Sequence, residues 1–179
     1  MFQMTKQLQL AVRLVSMSRA ELTSYLRAEA QGLGLRPLAG DEVDPLEVQE
    51  AQEAQKEGRA PWTLEQRQPF APTAEEPDVW VEGVSVFANG SGERWVCERE
   101  GEAAREGLWL LRAVRQRHRT YEKVAACLCE GNELASPVKQ TVESVAERIG
   151  LHVATVERVV AAGVLQSHHG VLRFSALTR

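Results

Sequence analysis

No run of about 18 or more apolar residues occurs in the chain, so no membrane-spanning helix is expected. A basic-then-apolar leader with a small-residue cleavage site is also missing, which makes the cytoplasm the expected compartment. Cysteine is scarce. Cys97, Cys127 and Cys129 do not make a disulfide framework and read as small buried thiols. There is no C-x-x-C, and His118, His152, His168 and His169 are not spaced as partners for one, so no metal is expected. A Walker phosphate loop, a G-x-S-x-G elbow and an H-E-x-x-H pair are all absent. Asn89-Gly90-Ser91-Gly92 is too short to cradle phosphate and reads as a turn. The carboxylates of the proline- and glutamine-rich stretch do not read as held on the rigid scaffold a general acid or base needs. An enzyme is thus the least favoured class, and no cofactor is expected.

Positive charge is short overall but unevenly so. The net charge is −4, yet residues 1–40 carry +3, residues 41–78 carry −8 and residues 79–179 carry +1. The chain is not a polycation made for phosphate, and any nucleic-acid contact must come from a local patch.

What is present centres on residues 141–163, TVESVAERIGLHVATVERVVAAG. This reads as two short helices joined by a tight turn. Ala146 permits close approach of the second helix. Gly150 supplies a left-handed turn that a Cβ would disfavour. Val156 plugs the angle between the helices, and Val145, Ile149, Leu151 and Val159 fill the shared core at helical spacing. This is a helix-turn-helix pattern. DNA contact and a purely structural role are both open to it.

The expected fold is mainly α: an N-terminal helical pair (1–34), a disordered acidic linker (35–77), then a β-hairpin followed by a helical domain (78–179). In the pair, Leu10, Leu14 and Met17 make one apolar stripe. Ser18 with Glu21 is a capping box, so a second helix should begin near Arg19, with Gly32 and Gly34 ending it. The pair is expected to dock either on the rest of the chain or on another protein. Residues 35–77 hold six of the seven prolines and few large apolar residues, so they read as a linker, with a solvated helix over 46–57. The hairpin is expected over 79–98, with VWVEGVSVF and ERWVCE as its strands about Asn89–Gly92. Along the next helix, Arg112, Arg115, Arg117, Arg119 and Lys123 form a basic cluster, which could grip phosphate or an acidic protein surface or simply face solvent. Ser136-Pro137 is a helix-start signal, and Val164–Phe174 suggests a small terminal hairpin about His168-His169.

Two stretches together carry a family resemblance. Residues 4–30, through Met4-Thr5, Gln7-Leu8-Gln9, Ala11–Leu14, Ser18, Glu21-Leu22 and Leu26, resemble the N-terminal region of the sigma-54 family of bacterial RNA polymerase sigma factors. LWLLRAVRQRHRTYEKVA resembles the helix in that family's core-binding domain, through Trp109, Leu110, Gln116, Arg117, Thr120 and Val124. IGLHVATVERV resembles its helix-turn-helix-like element, through Gly150, His152, Thr155, Val156, Arg158 and Val159. The resemblance implies contact with an AAA+ activator through Gln7, Leu8, Leu14 and Leu22. It implies promoter DNA contact through His152, Thr155, Glu157 and Arg158. It also implies docking on the RNA polymerase core, for which the basic cluster at Arg112, Arg115, Arg117, Arg119 and Lys123 is the candidate surface.

The departures bear on mechanism. The linker replaces much of the first half of the family's core-binding domain, and the separate C-terminal DNA-binding domain is expected to be missing. Glu157 stands where the family commonly has serine, and Gly163-Val164 where it has a lysine–tyrosine pair. An added acid and a lost lysine both weaken phosphate attraction. Three readings follow: a short sigma-54-like protein that binds polymerase and competes with the full-length factor, a self-standing helix-turn-helix DNA binder, and a structural remnant.

Overall fold

The structure is a computed structural model that describes residues 4–90 and 94–179. Helix α1 (Lys6–Ser16) starts where the Thr5 hydroxyl accepts a hydrogen bond from the Leu8 amide at 3.2 Å. Helix α2 (Arg19–Leu33) opens on the expected capping box. Glu21 N–H donates to the Ser18 hydroxyl at 3.2 Å, and Ser18 N–H donates to the Glu21 carboxylate at 2.7 Å. It ends at Gly34 in the left-handed conformation, φ 68°. Each helix alone is too short to persist in water, so tertiary packing must hold them. That packing is on the chain itself. Leu14, Leu22, Leu26 and Ala30 form one core with Leu110, Leu111 and Val114 of helix α4 (Arg105–Cys129).

Residues 35–77 depart from the linker expectation. Strand β1 (Leu35–Pro37) leads to helix α3 (Pro45–Lys56), which Asp44 caps by accepting from the Leu46 amide at 2.9 Å. Proline at the first helical turn suits the start, as its missing N–H would be an orphan there. The helix falls where the sequence suggests a solvated one, but Leu46 and Ala54 are buried. Composition alone missed it because its partners are remote: Leu46 joins the core of Leu110, Leu111 and Val114 in α4, and Glu50 accepts from Arg115, 65 positions on.

The hairpin is also rearranged. Strands β2 (Val79–Glu82) and β3 (Ser85–Ala88) pair with each other across Gly83-Val84. Glycine first at φ 64° gives a two-residue loop that fits the twist of the strands. VWVEGVSVF is therefore a whole hairpin and not one strand. Strand β4 (Trp95–Cys97) pairs instead with β1, antiparallel. Of the expected turn, Asn89 and Gly90 are buried beside Glu65, and Ser91 and Gly92 lie outside the described residues.

The C-terminal part follows the sequence pattern closely. Helices α5 (Val142–Ile149) and α6 (Val153–Ala162) turn about Gly150 at φ 67°. Val145, Ala146, Val156 and Val159 are buried in the shared core with Tyr121, Val124 and Leu128. The start of α5 is at Thr141, not Ser136. The Asn132 side chain bonds Leu128 O and both backbone groups of Val138, which ties the intervening segment into a loop. Strands β5 (Val164–Ser167) and β6 (Gly170–Arg173) make the terminal hairpin, with His168-His169 at its exposed tip. β5 also pairs parallel with β2, so the sheet runs β3-β2-β5-β6. The architecture is six α-helices and two small sheets among the described residues, helical in the main.

Close packing accounts for the glycine at position 163. A Cβ there would sit 2.4 Å from the fully buried ring of Phe174. Gly163→Ala is expected to lose about 1–2 kcal/mol, since overpacking (about 1–3 kcal/mol) exceeds the gain from a stiffer unfolded chain. In helix α2, Gly32 has open space about it, so Gly32→Ala should instead gain about 0.5–1 kcal/mol. Urea unfolding of the two variants would show opposite signs, and a stable Gly163→Ala would refute the packing argument.

Candidate nucleic-acid and polymerase interface

The candidate DNA residues lie on or just before α6. His152 is its N-cap and exposed, and its ring Nδ1 accepts from the Ala154 amide at 3.2 Å. Using the ring as a cap fixes it against the helix start. Glu157 is exposed. Thr155 and Arg158 are half-buried, and the Arg158 guanidinium donates to the Ala154 carbonyl at 3.3 Å. In α5, Arg148 is held by Glu130 and by Gln140 at 2.9 Å, while Glu143 and Glu147 are exposed. The outward face of the two helices therefore holds three carboxylates against two arginines. Helix α1 packs on α6.

The basic cluster of α4 is divided by the fold. Arg112 and Lys123 are exposed. Arg115 is buried, and its Nε and Nη2 donate to Glu50 at 3.0 and 2.6 Å, with Asp44 at 3.7 Å from Nη1. Arg119 donates to the same Glu50 at 2.9 Å. The Trp62 ring lies against both guanidinium groups, 5.2 and 4.8 Å from its centre, and its N–H donates to Glu122 at 3.3 Å.

Arg117 points the opposite way, into the fold. Its Nε donates to Leu14 O at 2.9 Å, and Nη2 donates to Met17 O at 2.7 Å and to Asp78 Oδ1 at 3.0 Å. Asp78 Oδ2 in turn accepts from the Val164 amide at 3.0 Å. Burial pushes the Asp78 carboxyl up, and the Arg117 guanidinium opposes that rise. Tyr121 completes the seam by donating to Val15 O at 2.6 Å, and burial pushes its hydroxyl up to about 12. Arg115 and Arg117 are thus structural in this conformation, which corrects the picture of one exposed basic cluster.

Of the candidate activator residues, Gln7 and Leu8 are exposed, whereas Leu14 and Leu22 are 1% and 3% exposed and belong to the core. Sequence reasoning missed Asp44, Glu50, Trp62 and Asp78, which meet α4 from far off in sequence, and the burial of His118. His118 is buried, and burial together with Arg117, Arg19 and Arg115 holds its ring well below the usual histidine range. Burial also raises both helix thiols, Cys129 to about 11, so neither is an activated nucleophile. Among the described residues no cluster of His, Cys, Asp or Glu could hold a metal ion, and no helix is long and apolar enough to cross a membrane.

Residues 98–178 match the family model described as "Sigma-54, DNA binding domain". The matched region comprises α4, the helix-turn-helix and the terminal hairpin, and it is somewhat less than half of the chain. The matched family is one of transcription factors and not of enzymes. The match falls on the family's DNA-binding domain, whereas the motif resemblance assigns the same residues to its core-binding domain and expects the DNA-binding domain to be missing. No curated protein matches the chain.

Proposed function

We propose that the chain is a sigma-54-type transcription protein that contacts promoter DNA through α6 and docks on core RNA polymerase through α4. The observation that carries this reading is the family match over 98–178, which coincides with α4, the helix-turn-helix and its hairpin. On α6 the contact set is His152, Thr155 and Arg158, with Glu157 opposing phosphate. On α4 the residues open to a polymerase surface are Arg112 and Lys123, with Arg119 half-buried between them. An activator contact through the N-terminal helices falls to Gln7 and Leu8, because Leu14 and Leu22 are inside. Acting this way, the protein competes with a full-length sigma factor for polymerase.

A self-standing DNA binder is the second reading, favoured by the matched family's description as a DNA-binding domain. One experiment separates the two. The protein is titrated against a full-length sigma-54 factor on core polymerase, with promoter DNA binding followed in parallel. Displacement of the factor, weakened about tenfold by Arg112→Ala with Lys123→Ala, supports polymerase docking. Salt-dependent DNA binding lost in Arg158→Ala, with core polymerase ignored, supports the second reading. Binding to neither overturns both.

A further inference from the structure

Arg112, Arg115, Arg119 and Lys123 stand at i, i+3, i+7 and i+11 along α4, so they form one stripe about three turns long. Arg117 lies off it, turned into the fold. The chain covers only the middle of the stripe. Glu50 of α3 takes both Arg115 and Arg119, and Trp62 lies over the same two guanidinium groups. The ends, Arg112 and Lys123, are exposed.

What holds this cover is mostly charge. Helix α3 buries two apolar residues, Leu46 and Ala54, and the latter contributes little area. Ion pairs of this kind can be exchanged for pairs with another helix's carboxylates, which leave no arginine charge stranded, whereas a leucine seam offers no such exchange. The cover also displays what the stripe accepts: a helix with a carboxylate set between two arginines.

We propose that this stripe is a docking face for an acidic helix of a protein partner, and that α3 with Trp62 is a strap that covers its middle arginines until the partner displaces it. The inference rests on the reading that α4 engages core polymerase. A partner bound this way meets Arg112 and Lys123 first and then exchanges its own carboxylates for Glu50. The strap scales apparent affinity by the fraction of time it is open, so one that is open a tenth of the time weakens binding about tenfold.

The test compares three full-length proteins for binding to purified core RNA polymerase at low salt. Glu50→Gln with Trp62→Ala opens the strap. Glu53→Gln with Glu57→Gln makes a larger charge change at the C-terminal end of the same helix without touching Arg115 or Arg119. The first should bind about tenfold tighter than wild type, and the second within about twofold of it. In wild type, acrylamide quenching of Trp62, isolated by subtracting Trp62→Phe, should rise when polymerase is added. If polymerase binds but the opened variant is no tighter and Trp62 stays shielded, the strap is overturned while the docking reading stands. If polymerase binds none of the proteins, the docking reading fails and this inference with it. If the opened variant gains affinity only for promoter duplex, the partner is DNA and the acidic-helix assignment is wrong.

Discussion

Asp78→Ala is expected to cost about 3–5 kcal/mol of folding stability, because it strands the Arg117 charge in the core. The Arg117 and Asp78 side chains are 0% and 2% exposed. Their bond joins three distant parts of the chain. Arg117 belongs to α4, and its other donors hold the Leu14 and Met17 carbonyls at the end of α1. Asp78 immediately precedes β2 and accepts from Val164, the first residue of β5. Without the carboxylate, the guanidinium has only carbonyl partners, and the Val164 amide loses its side-chain acceptor. For a chain of this size the loss corresponds to a fall in Tm of about 6–20 °C. Arg117→Met in the same background should restore part of the loss, since removing both charges leaves no stranded ion. Urea unfolding at neutral pH measures both variants. A cost below about 1 kcal/mol for Asp78→Ala would mean that the seam is held by packing alone.

This seam also marks where sequence reading stops. The capping box at Ser18 and Glu21, the glycine turn at Gly150 and the valine plug at Val156 were legible because their partners lie within a few positions. Each depends on local geometry that a short motif encodes. Arg117 looked like a surface cation because helical spacing places it among other arginines. Its partners at Leu14, Met17 and Asp78 are 39 to 103 residues away. No periodicity reports such a pairing.

The acidic segment failed for a related reason. Its composition has too little apolar surface to fold alone, and that argument holds for an isolated chain. Beside α4, however, Glu50 and Asp44 both find the buried Arg115, and Trp62 finds two guanidinium faces. Complementary charge supplies what apolar burial could not. The hairpin error was one of choosing between glycines. Asn89-Gly90 is the stronger turn signal in sequence, but Gly90 is pressed against Glu65 O, where a Cβ would come within 2.0 Å. Its glycine serves close approach, and Gly83 makes the turn.

His118 gives the fold an acid sensitivity that should be measurable apart from every other titration. The ring is buried beside Arg117, Arg19 and Arg115, and it stays neutral in the folded protein at pH values where an ordinary histidine is charged. The unfolded chain protonates it near pH 6.5. Below that value the unfolded state binds the extra proton, so stability falls as pH drops, by up to about 1.4 kcal/mol per pH unit. Above about pH 7 the residue contributes no pH dependence. Asp78 works in the opposite direction, since its raised carboxyl takes a proton more readily in the folded state. A raw stability–pH curve therefore mixes the two. The difference between wild type and His118→Asn removes the contribution of Asp78 and of every other group the two proteins share. That difference should shift by about 2 kcal/mol in favour of the variant between pH 7.5 and pH 5, read by urea unfolding at each pH. Parallel curves over this range would mean that the buried ring accepts its proton inside the fold, and that the arginines around it do not set its charge.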